Sequence, residues 1–272
     1  MRGSFLLEIF LKALKWKRSV FEANYRFVFP DENPDYRQAV YNNLIRNVSR
    51  HATGFLSGLR SFQNLPQTFE EYPYQNFSIA PGSRAVLGKM REGGLLLAAH
   101  FGNYEALGPW LCNLGIPLQA SFARLRPKFL NRILTERLRT AQGKSYSLFL
   151  EQPRKILSLL EERQLFCLVA DQDYRKPNGI PGSFLGKPVL FNPLPGFILK
   201  HRPETPVFVT WIEEENSNSI LHAAELLTGE KKTPENLARA YHEWLENRIQ
   251  TRPDFWYGFF HRRFYSTAPG IY

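Results

Sequence analysis

Gly93-Gly-Leu-Leu-Leu-Ala-Ala-His100-Phe-Gly-Asn-Tyr-Glu105 is the stretch whose reading decides the fold. Five small or apolar residues in a row, from Leu95 to Ala99, predict a strand buried on both faces. The strand ends at His100, Gly102-Asn103 makes a turn, and Asn103 is a good N-cap for a helix carrying Tyr104, Glu105, Ala106 and Leu107. His100 then stands at the carboxyl end of a strand, with Glu105 in the first turn of the next helix. Open α/β sheets place their ligands there.

Two readings of this pair stand side by side. In one, His100 is a general base and the Glu105 carboxylate, on its other ring nitrogen, fixes the tautomer and stabilises the imidazolium. In the other, the segment is a capped helix start with a satisfied histidine. A metal site is disfavoured, because the two side chains supply only two ligands and no Cys/His cluster lies nearby.

Around this segment lie 272 residues with a hydrophobic share of 43% and a charged share of 22%, enough for a substantial core and unlike a disordered chain. The net charge of +10 calls for an anionic partner: nucleic acid, anionic lipid or a phosphorylated substrate. No helix-turn-helix, zinc-finger or single-strand-binding signature supports nucleic acid. Cys112 and Cys167 sit in apolar runs and read as reduced core residues, as suits a cytoplasmic protein. No signal-peptide pattern is visible.

Residues 1–17 form a unit of their own. Phe5, Leu6, Leu7, Ile9, Phe10, Leu11 and Leu14 alternate with Glu8 and Lys12, and Lys15 and Lys17 follow. A spanning helix needs about 20 mostly apolar residues, so this one is too short and too charged to cross a bilayer. It suits either a membrane interface or an amphipathic helix packed on its own domain. Residues 18–272 read as one domain. It begins with helices broken at Pro30–Pro34, then a proline-rich connection over 64–82, then a short helix from Arg84 to Arg91.

Beyond the central segment, Gly115-Ile-Pro-Leu118 begins a second strand that runs into Gln119–Phe122 and is expected beside the first, which aims Arg124 into the same crevice as His100. Between 124 and 144 come seven Lys/Arg and one acid, a run whose usual fate is a solvated face. Leu165–Ala170 is another buried strand, ending in Asp171-Gln-Asp173, either a self-stabilised turn or part of the site. A glycine-rich loop follows at Gly179–Pro188, matching no nucleotide fingerprint. Leu194–Arg202 is a helix, Pro206–Ile212 a strand, Glu213–Asn218 a loop and Pro234–Arg248 an amphipathic helix. No G-x-S-x-G elbow is present, and Cys112 has no His partner in its segment, so nothing points to a serine or cysteine nucleophile.

Several of these stretches resemble the lipid A late acyltransferase family. His100-Phe-Gly-Asn-Tyr-Glu105 is similar to its H-x4-D/E motif, and Arg18–Pro30 to its N-terminal R…N…FP segment. Arg124-Leu-Arg126-Pro127 looks like its YRP stretch with one residue deleted, which leaves Arg124 and Arg126 both as candidates. Ala170–Asp173, Gly179–Pro188 and the end from Arg252 to Phe264 follow its wording in order. The resemblance implies a single α/β domain with a mixed, largely parallel sheet flanked by helices, like the glycerol-phosphate acyltransferases. It implies transfer of a fatty acyl chain from acyl carrier protein to a hydroxyl of a phosphorylated glycolipid, a lipid A precursor, without cofactor, metal or nucleic acid. His100 and Glu105 would be catalytic, with Asn103, Arg124, Arg126, Asp171 and Asp173 binding substrate, in a peripheral protein on the cytoplasmic face of the bacterial inner membrane. The other readings are acylation of a different glycolipid, such as a mannosylated phosphoinositide, or a non-catalytic protein that binds anionic lipid or nucleic acid.

Overall fold

The computed structural model describes residues 2–122, 126–149, 153–229 and 231–272. Three helices come first: α1 (Arg2–Ala13), α2 (Arg18–Val28) and α3 (Pro34–Leu56). The same residues that break the helical pattern start α3. Asn33 Oδ1 accepts from the amides of Asp35 and Tyr36, and Pro34 occupies the first turn. In order follow β1 (Phe77–Ile79), α4 (Ser83–Met90), β2 (Gly94–Ala98), α5 (Leu107–Asn113), β3 (Leu118–Phe122), α6 (Phe129–Ile133), β4 (Ser147–Phe149) and α7 (Pro153–Glu161). The chain ends through β5 (Leu165–Val169), α8 (Leu194–His201), β6 (Val207–Glu215), β7 (Asn218–Leu226) and α9 (Pro234–Thr251).

Seven strands form one sheet in the order β1-β7-β6-β2-β5-β3-β4. Every neighbouring pair is parallel except β6 with β7. This is the largely parallel α/β architecture expected from the double-faced apolar runs. Alternation along β2 explains those runs, because successive side chains point to opposite faces. Leu95, Leu97 and Ala99 join a core with Phe21, Tyr25, Leu44 and Tyr241 from α2, α3 and α9. Leu96 and Ala98 join a second core on the other face, around Trp110, Leu111 and Leu114.

Three local expectations change. The strand Leu118–Phe122 does not lie beside β2; β5 is inserted between them. Crossover connections set strand order, and no local pattern encodes them. The acidic stretch Glu213–Asn218 is not a loop. It forms the ends of β6 and β7 and their two-residue turn, in which Asn216 and Ser217 both take positive φ, as a tight hairpin requires. Its charges are matched by partners that the linear sequence hides, among them His222, whose Nε2 lies 3.0 Å from Glu213 Oε2. The glycine-rich stretch is likewise an antiparallel ribbon, Ile180–Phe184 with Lys187–Phe191, turning at Leu185 and Gly186.

Helix α1 packs along α3, with Leu11 buried and Gly3 about 3.7 Å (measured from an added Cβ) from the Thr53 methyl. Its other side leaves Phe5, Leu6, Ile9 and Phe10 at least half exposed. Among the described residues, no helix is long and apolar enough to cross a membrane.

Candidate active site

The insertion of β5 beside β2 decides the site. Ala98 is in register with Val169, so the two residues that follow each strand, His100 and Asp171, come face to face. His100 Nδ1 lies 2.7 Å from Asp171 Oδ1, and the His100 amide donates to Oδ2 at 3.0 Å. The Trp256 indole donates to the same Oδ2 at 2.9 Å. Asp171 is fully buried, and burial by itself would favour its neutral form. The His100 charge and these hydrogen bonds outweigh that cost and hold its pKa at about 2.

An ionised carboxylate only accepts, so Nδ1 carries the proton and Nε2 carries the lone pair. The Gln172 amide stands 3.4 Å from Nε2. Burial lowers the basicity of His100, but the nearby Asp171, with Glu105 adding to it, raises its pKa overall. His261 stands next to it, ring centroids 5.5 Å apart. Burial, then the His100 and Lys17 charges, bring the pKa of His261 down to about 4.

The turn after His100 is held by the C-terminal stretch. The Tyr257 amide donates to His100 O at 2.8 Å and the Gly102 amide to Phe255 O at 2.9 Å, extending β2 by one more partner. Gly102 has φ +61°, and a Cβ there would come within 2.8 Å of Ile212 O, so only glycine fits. The aromatic end of the chain both finishes the core, through Trp256 and Phe259, and walls the site, through Tyr257, Phe260 and His261.

Glu105 does not take the other nitrogen of His100. Its carboxylate pairs with Arg139, at 2.5 Å to Nη2 and 3.1 Å to Nε. The segment after Asn103 is a 3-10 turn, Tyr104–Ala106, and the Asn103 side chain makes no cap hydrogen bond. Asn103 is instead buried and bonded to Glu214. Asp173 stands apart from the His100–Asp171 pair. It accepts from Ser266 N and Oγ and from Arg175 Nε, and ties down the C-terminal tail. Arg126 is exposed, and Arg124 falls outside the described residues.

Sequence reading missed Arg139 and Trp256 as parts of this centre. Arg139 was one cation in a run read as solvated. Burial opposes its charge, yet Glu105 raises its pKa. Trp256 lay in the C-terminal stretch already singled out, but no spacing joins it to Asp171, 85 positions away.

Two cavities meet at His100, Tyr104 and Glu105. The first, about 570 Å³, runs between Leu96, Ala98, Leu107, Leu111 and Leu118. Its wall includes Gly108, against which the Tyr146 ring packs so closely that a Cβ would fall 2.2 Å from it. The second, about 270 Å³, lies between the N-terminal helices and the C-terminal stretch, lined by Trp16, Phe55, Asn103, Tyr257 and His261 among others. Burial raises the Cys112 and Cys167 thiols to about 12, which removes both as nucleophiles at neutral pH. No group of three or more His, Cys, Asp or Glu able to hold a metal is found among the described residues.

A buried imidazole–carboxylate pair at the strand ends of a parallel sheet, opening on a long apolar cavity, fits a class of enzymes that move apolar groups. A family model described as bacterial lipid A biosynthesis acyltransferase matches residues 4–266, and the chain belongs to that family. It is thereby an enzyme that transfers acyl groups in the biosynthesis of lipid A and lipopolysaccharide. No curated relative matches it.

Proposed function

We propose that the chain transfers a fatty acyl group from an acyl carrier protein thioester to a hydroxyl of a phosphorylated lipid A precursor, with His100 as general base, on the cytoplasmic surface of the inner membrane. The observation that carries this reading is the state of His100: Nδ1 is committed to Asp171, and the basic Nε2 stands where the two cavities meet. A thioester is already activated, so no covalent enzyme intermediate is needed. Nε2 removes the proton of the acceptor hydroxyl as its oxygen attacks the thioester carbonyl carbon. When the tetrahedral intermediate collapses, the carbon–sulfur bond breaks and the imidazolium returns its proton to the departing thiolate. Asp171 orients the ring and stabilises its cation throughout.

The first cavity suits the acyl chain, since each buried methylene is worth about 0.8 kcal/mol. Glu105 and Arg139 form a polar collar where that cavity reaches His100, and Glu105 adds negative potential beside the imidazolium. Arg126, Lys128, Arg132 and Arg137, all exposed around α6, favour an acidic carrier protein or an anionic surface. The exposed apolar face of α1, followed by Lys15 and Lys17, supports peripheral attachment to the bilayer.

The test is incubation with labelled acyl carrier protein thioester and a lipid A precursor, followed by mass spectrometry of the products. An acylated precursor formed by the wild type and lost in His100→Ala supports the reading. Equal product from both overturns the mechanism.

A further inference from the structure

The second cavity is backed by a polar cluster outside the His100–Asp171 pair. Glu214, at the end of β6, is approached by Arg50 Nη2, by His51 Nε2 at 2.7 Å and by the Asn103 side chain. His51 Nδ1 in turn lies 2.5 Å from the Tyr257 hydroxyl. Asn103, His51 and Tyr257 are all buried and all line the cavity.

Donor and acceptor roles in this cluster follow from one carboxylate. Burial disfavours a charged Glu214, but His51, Arg50 and Asn103 together lower its pKa, so it is ionised and can only accept. Asn103 must therefore give it the NH2 end. That turns the Asn103 Oδ1 away, and this oxygen has no hydrogen-bond partner, although it is buried. His51 donates to it from Nε2, and in that Nε2–H tautomer Nδ1 presents a lone pair. The Tyr257 O–H then points at Nδ1, and its oxygen keeps only acceptor capacity. One unpartnered acceptor, Asn103 Oδ1, and the Tyr257 oxygen, which can accept one further hydrogen bond, stand on one wall, with the carboxylate behind them. A buried acceptor left unpaired is costly, so the site is built to be completed by a ligand.

We propose that the second cavity binds the sugar headgroup of the acceptor, with Asn103 Oδ1 and the Tyr257 oxygen receiving hydrogen bonds from its hydroxyl or amide N–H groups. The proposal rests on the acyl-transfer reading for its substrate and adds the selection rule. A phosphate is an anion whose oxygens chiefly accept, and with the ionised Glu214 carboxylate behind this wall it is disfavoured here, so the acceptor's phosphates lie outside this cavity. The hydroxyl to be acylated is thereby presented to His100, which lines the same cavity.

Two measurements test this on the full-length protein. The first is steady-state kinetics of Tyr257→Phe, which keeps the ring and removes one oxygen, and of Asn103→Leu, which keeps the bulk. In each, the KM for the lipid A precursor should rise about tenfold, the scale of one hydrogen bond, while the KM for the acyl carrier protein thioester stays unchanged. The second is calorimetric titration with a water-soluble N-acylglucosamine, alone and in competition with inorganic phosphate. The sugar should bind the wild type, bind Tyr257→Phe about tenfold more weakly, and resist displacement by phosphate.

Acceptor KM within twofold of wild type in both variants, or displacement of the sugar by phosphate, overturns the proposal and leaves acyl transfer intact. Sugar binding with the expected weakening, but no acyl transfer by the wild type, upholds the cavity's selectivity and removes the acyl-transfer reading instead. If Tyr257→Phe does not fold, Asn103→Leu carries both measurements.

Discussion

Among the described residues, two histidine–carboxylate pairs lie within reach of the same cavity, and only one keeps its second ring nitrogen open. His100 with Asp171 and His51 with Glu214 share the same 2.7 Å separation. They differ in what the second ring nitrogen meets. In His51 it is used by the Tyr257 hydroxyl at 2.5 Å, so both nitrogens are occupied. In His100 the second nitrogen faces only the Gln172 amide, at 3.4 Å, and two cavities. They differ also in placement: His51 is fixed inside the helix α3, whereas His100 ends a central strand. A histidine paired with a carboxylate is thus a base only if its far nitrogen is left open. The other pair is a strut that fixes the polarity of its neighbours.

Removing each imidazole is the harshest way to break that comparison. His100→Ala should lower turnover about 100-fold or more, the usual scale for losing acid–base help, with folding retained. His51→Leu should raise acceptor KM but leave kcat within about threefold, because its effect passes through the Tyr257 oxygen and reaches only about the worth of one hydrogen bond. Steady-state kinetics under one set of conditions checks both. A larger kcat loss in His51→Leu than in His100→Ala would exchange the two roles.

Asp171→Asn is next in size. Turnover should drop about 10- to 100-fold, because the amide can no longer hold the ring in the Nδ1–H tautomer. The pH profile gives an independent sign. Burial lowers the pKa of His100 but Asp171 raises it above the ordinary value. The base works only when deprotonated, so the acid limb of kcat/KM in the wild type should lie above the usual histidine range. Without the carboxylate that limb should move to lower pH, even as the plateau falls. A limb that moves upward, or stays in place, would mean that another group titrates. The His100→Ala/Asp171→Asn double variant should be little worse than His100→Ala, since the two act as a unit.

Much of this centre was legible from residues 93–105, and the reason it was incomplete is physical. A strand buried on both faces announces itself by composition, and the end of such a strand in an α/β sheet is a ligand position wherever the sheet order puts it. His100 and the turn at Gly102 follow from that. The partner of His100 does not, because Asp171 is 71 positions away and meets it only once β5 is inserted next to β2. Glu105, five residues on, was the local candidate. Arg139 shared its run with cations that are solvated, and the partners that set it apart, the Glu105 carboxylate and the Phe122 ring, come from elsewhere in the chain. The Glu213–Asn218 stretch misled for the opposite reason. Its charges read as solvent-facing, while Glu214 is half-buried against Arg50 and His51 from α3.

Glu105→Gln and Arg139→Gln should show intermediate losses of about tenfold, as a half-buried ion pair loses one charge and leaves the other unpaired. The sharper measurement is coupling. Combined with His100→Ala, the Glu105→Gln loss should multiply, because Glu105 is joined to Arg139 and only its field reaches the imidazole. A Glu105→Gln variant that adds nothing in the His100→Ala background would bring it back into the proton-transfer unit.

The smallest effect on turnover should come from α1, and it separates attachment from chemistry. Phe5 and Phe10 are 61% and 57% exposed, whereas Leu11 is buried and Trp16, just beyond the helix, packs on Phe260 at 4.9 Å between ring centroids. Deleting residues 1–17 would therefore remove a wall of the second cavity together with the apolar face. Phe5→Ser/Phe10→Ser removes only what faces outward. In vesicle sedimentation with anionic lipid, this variant should partition about tenfold more weakly, since each lost aromatic forfeits part of its transfer energy. The residual binding, left to Lys12, Lys15 and Lys17, should vanish at high salt because surface charges are screened beyond about 10 Å at 0.1 M. Turnover on detergent-dispersed acceptor should match the wild type. Unchanged sedimentation would return α1 to a purely structural role against α3. A loss of turnover in detergent would show that the outer face of α1 reaches the cavity after all.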